Sequence, residues 1–325
     1  MKAEHSLINK TVVITGASSG AGRAAALAFA AKGSTVVLAA RRTNALEEVV
    51  EECHSLGARA VAVTTDVSDA DGMNQLADAA NRYSGRIDVW VNNAGVLAAG
   101  EFTTTPIDVL ERVIRINLMG YINGAHAVLP YFKKQGHGIL INNISVGAWF
   151  PTPFAAAYTA SKYGVKGFFE ALRGELTDYR HIYICDMFPA FLDTPGIQHA
   201  ANYTGKALKP APPVYDPERL AAAMVDLARH PREYTTTDLT APLLRLTNSL
   251  FPVLTRRATA ALIKTYLNNA DPIEKTAGNL FSPLPFGTGI YGGWRTYLRY
   301  KVAVAGVMFL GLAAAGSLIG ILLKK

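Results

Sequence analysis

Tyr158 and Lys162 are four residues apart in the run Tyr158-Thr159-Ala160-Ser161-Lys162, so on a helix a phenol and an ammonium project from one face. A phenol at its ordinary pKa of about 10 is a poor base near neutrality. A cation beside it favours the phenolate and lowers that value, which is the arrangement needed to pass a proton to or from a bound oxygen. Ser145, 13 residues before Tyr158 at the end of an apolar run, supplies a hydroxyl that can hydrogen-bond the same oxygen and hold it against Tyr158. Taken alone, a Tyr-x-x-x-Lys pair is an ordinary surface feature. Its weight comes from what precedes it in the chain.

The first apolar run, Thr11–Thr15, leads into Gly16-Ala17-Ser18-Ser19-Gly20-Ala21-Gly22 and then into strongly helical sequence. Glycine is needed where the backbone curls tightly or closely approaches a ligand. A strand-to-helix turn of this kind points N–H groups and the positive helix end at a pyrophosphate. Gly16, Ser18, Ser19, Gly20, Ala21 and Gly22 are therefore candidate dinucleotide contacts. The second apolar run, Thr35–Ala39, is followed by Ala40 with no acidic residue to meet a ribose 2′-hydroxyl, and Arg41-Arg42 come next. Two guanidinium groups there suit a 2′-phosphate and favour NADP(H) over NAD.

These groups need a frame. From residue 10 to about 190, apolar runs at Thr11–Thr15, Thr35–Ala39, Ala60–Thr64, Ile87–Val91, Gly138–Asn143 and Ile182–Phe188 alternate with helical stretches such as Arg23–Lys32, Leu46–Leu56 and Ala70–Tyr83. Strands this apolar are buried on both faces, and the handed crossover makes the fold α/β, a doubly wound parallel sheet of the Rossmann kind. Beyond 190, Pro195, Pro210, Pro212, Pro213 and Pro217 punctuate a stretch read as a substrate-covering loop, before a helix over Glu218–Arg229. The region Pro242–Leu267 mixes leucines with Arg245, Arg256, Arg257 and Lys264, and suits either a membrane interface or packing on the domain. The Gly/Pro-rich stretch Gly278–Gly293 reads as a link to the C-terminus. The division expected is a catalytic domain at 1–235, a helical and loop extension at 236–300 and a transmembrane helix at 301–323.

With these motifs in hand, the chain resembles the short-chain dehydrogenase/reductase family over roughly residues 8 to 230. The resemblance rests on an ordered set: Thr15–Gly22, Asp66-Val67 after the third strand, Asn92-Asn93-Ala94-Gly95 after the fourth, Asn117 on the next helix, Ser145, and Tyr158 with Lys162. It implies that Asp66 and Val67 meet the adenine and that Asn93, Ala94 and Gly95 line the cofactor cleft. Pro189 and Thr194 then contact the nicotinamide end, and Asn117 helps position a water beside Lys162. The implied activity is transfer of hydride between a nicotinamide and substrate carbon, with Tyr158 as proton donor. Many relatives carry Pro-Gly where this chain has Pro189-Ala190, and alanine is tolerated there only if the backbone keeps a negative φ.

The rest of the composition narrows the setting. Of 325 residues, 50% are hydrophobic and 18% charged, enough for one large core. Cys53 and Cys185 lie far apart with no CxxC spacing or companion histidines, so they read as buried thiols in a reducing compartment, with no disulfide and no metal site. The net charge of +7 is scattered rather than gathered in a basic run interleaved with aromatics, which argues against nucleic acid. Val302–Leu323 is 22 residues without a charge, roughly 33 Å as a helix, long enough to cross a bilayer. Arg295, Arg299, Lys301, Trp294, Tyr297 and Tyr300 flank one end and Lys324-Lys325 the other. The N-terminus shows no secretory signal. The expectation is a single-pass C-terminal anchor with the catalytic domain on the cytoplasmic face, an apolar lipid-, retinoid- or steroid-like substrate, and a homo-oligomer as an open partner. The other reading is a non-catalytic NADP(H)-binding membrane scaffold, for which Gly316-Ser317-Leu318-Ile319-Gly320 gives helix-packing spacing.

Overall fold

The computed structural model describes residues 6–295. Among these, the apolar runs become one parallel sheet of β1 (Thr11–Thr15), β2 (Thr35–Ala40), β3 (Ala60–Thr64), β4 (Val89–Asn92), β5 (Gly138–Asn143), β6 (Ile182–Met187) and β7 (Tyr234–Thr235). Its spatial order is β3-β2-β1-β4-β5-β6-β7. The intervening helices are α1 (Gly20–Ala30), α2 (Thr43–Ser55), α3 (Ala70–Ser84), α4 (Ile107–Ile114), α5 (Gly120–Gln135), α6 (Ala156–Glu175) and α7 (Pro217–Arg229). Side chains alternate across each strand. Val12 and Ile14 therefore join the core under α1, α2 and α7, while Val13 joins the core under α3 to α6.

Parallel pairs β1–β2 and β1–β4 leave β1 in opposite directions, so the crossovers separate at the carboxyl end of β1 and open a crevice there. The expected strands and helices are present, several with shifted ends. The helix expected at Arg23 starts at Gly20, inside the glycine turn, and the strand expected from Ile87 starts at Val89. Strand β7 is only two residues long, too short to leave a periodic pattern in the sequence. Cys53 and Cys185 are both buried and free.

The region Pro242–Leu267 is not one element but a helical hairpin, α8 (Thr240–Leu250) and α9 (Pro252–Asn269). Pro252 disfavours helical backbone in the residue before it, and Phe251 duly leaves the helix with φ −133 and ψ 58. One side packs on the domain: Ala241 and Thr255 are buried, the Arg245 guanidinium lies 4.8 Å from the Trp149 ring centroid, and Asn248 donates to the Trp149 carbonyl at 3.0 Å. Leu243, Leu246, Leu250, Val253, Leu254 and Leu262 are exposed.

Residues 271–294 are the main departure from the sequence reading. Gly278–Gly293 is no free link but part of a strap laid back across the crevice. Thr276 and Asn202 exchange backbone hydrogen bonds, Asn279 N donates to His199 O at 2.9 Å, and Leu280 is fully buried. Gly278 is required by this approach, since a Cβ there would stand 2.3 Å from His199 O. Trp294 and Arg295 fasten the end of the strap: Trp294 N and the Arg295 guanidinium bond Asp193, and Arg295 also pairs with Asp216. The stretch Val302–Leu323 lies outside the described residues. Within the described residues no helix is long and apolar enough to cross a membrane.

Candidate active site

A cleft of about 400 Å³ opens at the carboxyl ends of β1, β2, β4 and β5, within the size range of small-molecule sites. Every residue expected to hold a dinucleotide lines it: Gly16, Ser18, Ser19, Gly20, Ala21, Gly22, Arg41, Arg42, Asp66, Val67, Asn93, Ala94, Gly95, Pro189 and Thr194. Ser145, Tyr158 and Lys162 line the same space. Asn117 does not.

The floor is built by the glycine turn. A Cβ on Gly22 would lie 2.2 Å from Gly16 O and 2.6 Å from Asn93 Nδ2, so the turn can close only with hydrogen at that position. Asn93 ties β4 to this turn: its backbone N–H donates to Thr15 Oγ1 at 3.0 Å, and its side-chain amide donates to Thr15 O at 3.0 Å. Asn93 therefore shapes the cleft as well as facing it. Such a hydrogen-only turn beneath open space fits the backbone of a dinucleotide.

At the far end, Asp66 accepts from the Ser68 N–H and hydroxyl, and pairs with Arg112 at 2.6 Å. Burial works to raise its pKa, but the Ser68 and Arg112 bonds prevail and hold it below the usual carboxylate range. Arg41 and Arg42 stand where the sequence puts them, yet they do not face the cleft freely. Arg41 donates to the carbonyls of Leu280 and Asn279, and Arg42 to those of Leu284 and Phe286 at 2.9 Å each. Arg112 adds a bond to Leu280 O. The cause is the strap, whose carbonyls need donors once it crosses the crevice. Gly20 N, at the turn that should meet a pyrophosphate, likewise donates to Gly289 O at 2.9 Å.

At the other end, β5 delivers Ser145 with φ +121 and ψ 153, a backbone region that is essentially reserved for glycine and costs about 1–3 kcal/mol. It is held by Ile144 N donating to Met187 O and Val146 N donating to Pro189 O, both at 2.9 Å. Gly147 N donates to Ser145 Oγ at 3.1 Å. This leaves the Ser145 O–H to be donated, and it bonds the Tyr158 hydroxyl. Burial raises the Tyr158 pKa and the Ser145 bond partly opposes it. Lys162, one turn along α6, is 4% exposed. Its amine stands 5.0 Å from the Tyr121 ring centroid and 5.7 Å from that of Tyr158. Burial pushes it down to about 7. Burial, rather than the Lys162 ammonium that the spacing predicts to lower the phenol, is the larger influence on both groups.

Asn117 sits fully buried in a π-helical turn, Arg115–Met119, between α4 and α5. Its Oδ1 accepts from Val96 N at 2.8 Å, and its Nδ2 donates to Val96 O and to Ser161 Oγ. The side chain is thus spent fastening α6 to the strand end. Ala190 lies outside the left-handed region, so alanine is accommodated without strain. Tyr121, beside the Lys162 amine, and Arg112, paired with Asp66, belong to the site in addition to the residues expected from the sequence. Tyr121 had a signal, lying four residues after Asn117; Arg112 had none, because Asp66 is distant in the chain.

Residues 10–203 match the family model described as short chain dehydrogenase. An oxidoreductase of Bacillus subtilis named as uncharacterised is 33% identical over 256 residues, which cover 77% of this chain and 71% of that protein. A protein of Sesamum indicum named 11-beta-hydroxysteroid dehydrogenase A is 38% identical over 51% of this chain and 48% of its own length. Among solved structures, a short chain dehydrogenase/reductase from Burkholderia phymatum in complex with NAD is 25% identical with a TM-score of 0.67, covering 83% of this chain and 99% of that one. A metagenomic short-chain oxidoreductase in complex with NADP is 27% identical with a TM-score of 0.61, covering 71% and 96%.

Proposed function

Because the chain belongs to the short-chain dehydrogenase family, we propose that it is a membrane-tethered NADP(H)-dependent oxidoreductase that interconverts a carbonyl and an alcohol on an apolar substrate. The observation that carries this reading is the Ser145 hydroxyl bonded to the Tyr158 hydroxyl in the dinucleotide-sized cleft, with the Lys162 amine buried beside them. When bound, the nicotinamide supplies the hydride to the substrate carbon or takes it back. Tyr158 gives its proton to the substrate oxygen in reduction and recovers it in oxidation. Ser145, with its oxygen already fixed by Gly147 N, turns its O–H to the same oxygen and sets its distance from Tyr158. Lys162 favours the phenolate left behind when it is protonated.

Support for NADP(H) comes from the end of β2, where Ala40 stands in place of an acid and Arg41, Arg42 and Arg112 gather. A guanidinium has five donors, so the strap carbonyls leave N–H groups for a 2′-phosphate. Support for an apolar substrate comes from Leu97, Val146, Phe191, Leu192 and Ile197 on the cleft, and from the name of the sesame relative. The uncharged stretch Val302–Leu323 and the exposed leucines of α8 and α9 beside Arg256 and Arg257 support residence at a membrane on its cytoplasmic face.

The test is Tyr158→Phe, assayed on a lipid-carbonyl extract by NADPH oxidation with the product identified by mass spectrometry. Turnover should fall at least a hundredfold with NADPH affinity unchanged. Full turnover by the variant would refute the assignment, and wild-type protein that binds NADPH yet turns over no carbonyl would favour the scaffold reading.

A further inference from the structure

We infer that the strap at 277–289 is the outer wall of the adenosine end of the cleft and that the Asn279 carboxamide binds the adenine. This rests on the dinucleotide reading above but concerns a segment far beyond the matched residues 10–203.

Three observations converge. The first is attachment. The strap is fastened to both lips of the crevice, at one lip by Asn279 N to His199 O and at the other by the arginines of β2 and α4 on the carbonyls of Asn279, Leu280, Leu284 and Phe286. Buried Leu280 pins it to the core of the domain, so it is not a loose covering. The second is position. The Asn279 carbonyl accepts from Arg41, and the next carbonyl accepts from both Arg41 and Arg112, the partner of Asp66. Asn279 therefore lies at the ends of β2 and β3, where the adenosine half of a dinucleotide sits in a doubly wound fold. Its residue lines the cleft itself.

The third is an unmet bond. Asn279 Oδ1 is buried with no hydrogen-bond partner among the described residues, although buried polar atoms are nearly always paired. Asp66 is differently placed, because Ser68 and Arg112 already occupy its oxygens. A carboxamide offers one acceptor and two donors side by side, the complement of the amino group and ring nitrogen on an adenine edge. The complement survives either orientation of the amide, which can turn to suit the base.

The experiment is equilibrium titration of the full chain and of Asn279→Ala with NADPH, NADH and reduced nicotinamide mononucleotide, which lacks the adenosine. Asn279→Ala should weaken both dinucleotides about tenfold and leave the mononucleotide unchanged. Hydrogen exchange on the wild-type chain gives a second readout: amides of residues 278–289 should slow on adding 5′-AMP and should not respond to the mononucleotide. Equal dinucleotide affinity in the variant, or a strap whose exchange ignores 5′-AMP, overturns the inference while leaving the cofactor reading intact. A wild-type chain that binds neither dinucleotide overturns both.

Discussion

Replacing Lys162 with methionine should stabilise the protein at low pH even as it impairs catalysis. The amine is 4% exposed and, with no carboxylate paired to it among the described residues, burial lowers its pKa from 10.5 to about 7. The folded value is the depressed one, so the unfolded chain binds more protons between about pH 7 and 10.5. Stability attributable to this residue is complete above the unfolded pKa and declines as pH falls toward 7. At 1.36 kcal/mol per unit, the full cost of holding the charge inside is on the order of 5 kcal/mol below pH 7. Methionine has nearly the length of the lysine stem and no charge, so it escapes that cost. Urea denaturation at pH 6, 8 and 10 should show wild-type stability climbing with pH relative to Lys162→Met. The two proteins should converge near pH 10.5, with the variant several kcal/mol ahead at pH 6. Parallel stability curves would refute the reasoning, because they would mean that the amine titrates in the fold as it does in the unfolded chain.

Other perturbations address the rest of the site. Ser145→Gly removes a side chain from backbone at φ +121 and Ser145→Ala does not relieve it, so the glycine variant should be the more stable by about 1 kcal/mol, with turnover lost in both; thermal melts giving the opposite order would show that the turn is unstrained. Gly22→Ala drives a methyl to 2.2 Å from Gly16 O and should weaken dinucleotide binding at least a hundredfold by titration. Arg41→Asp should move the ratio of kcat/KM for NADPH over NADH toward NADH by tenfold or more, and unchanged discrimination would remove Arg41 from that role. A chain ending at residue 300 should move from the membrane pellet to the supernatant, and continued pelleting would assign the binding to the exposed leucines of α8 and α9.

Much of this molecule is written locally. The runs Thr11–Thr15 and Thr35–Ala40 are largely apolar and rich in β-branched residues, and such runs alternating with helices admit little besides a parallel sheet covered on both faces. The glycine turn, Ser145 and the Tyr158–Lys162 spacing are legible for the same reason: each depends on neighbours a few residues away, and a strand end or one helical turn suffices to aim them. What only the tertiary structure decided are the relations between distant segments. That burial outweighs the lysine's influence on Tyr158, that Asn117 is spent on Val96, and that the Arg41 and Arg42 guanidiniums meet carbonyls more than 230 residues away all depend on which surfaces the fold brings together. The strap makes the point most plainly. Its glycines and prolines read as a link because composition reports the freedom of a backbone, whereas the direction it takes is set by donors on β2 and α4 and by a hydrophobic seat for Leu280 that exist only once the domain has folded.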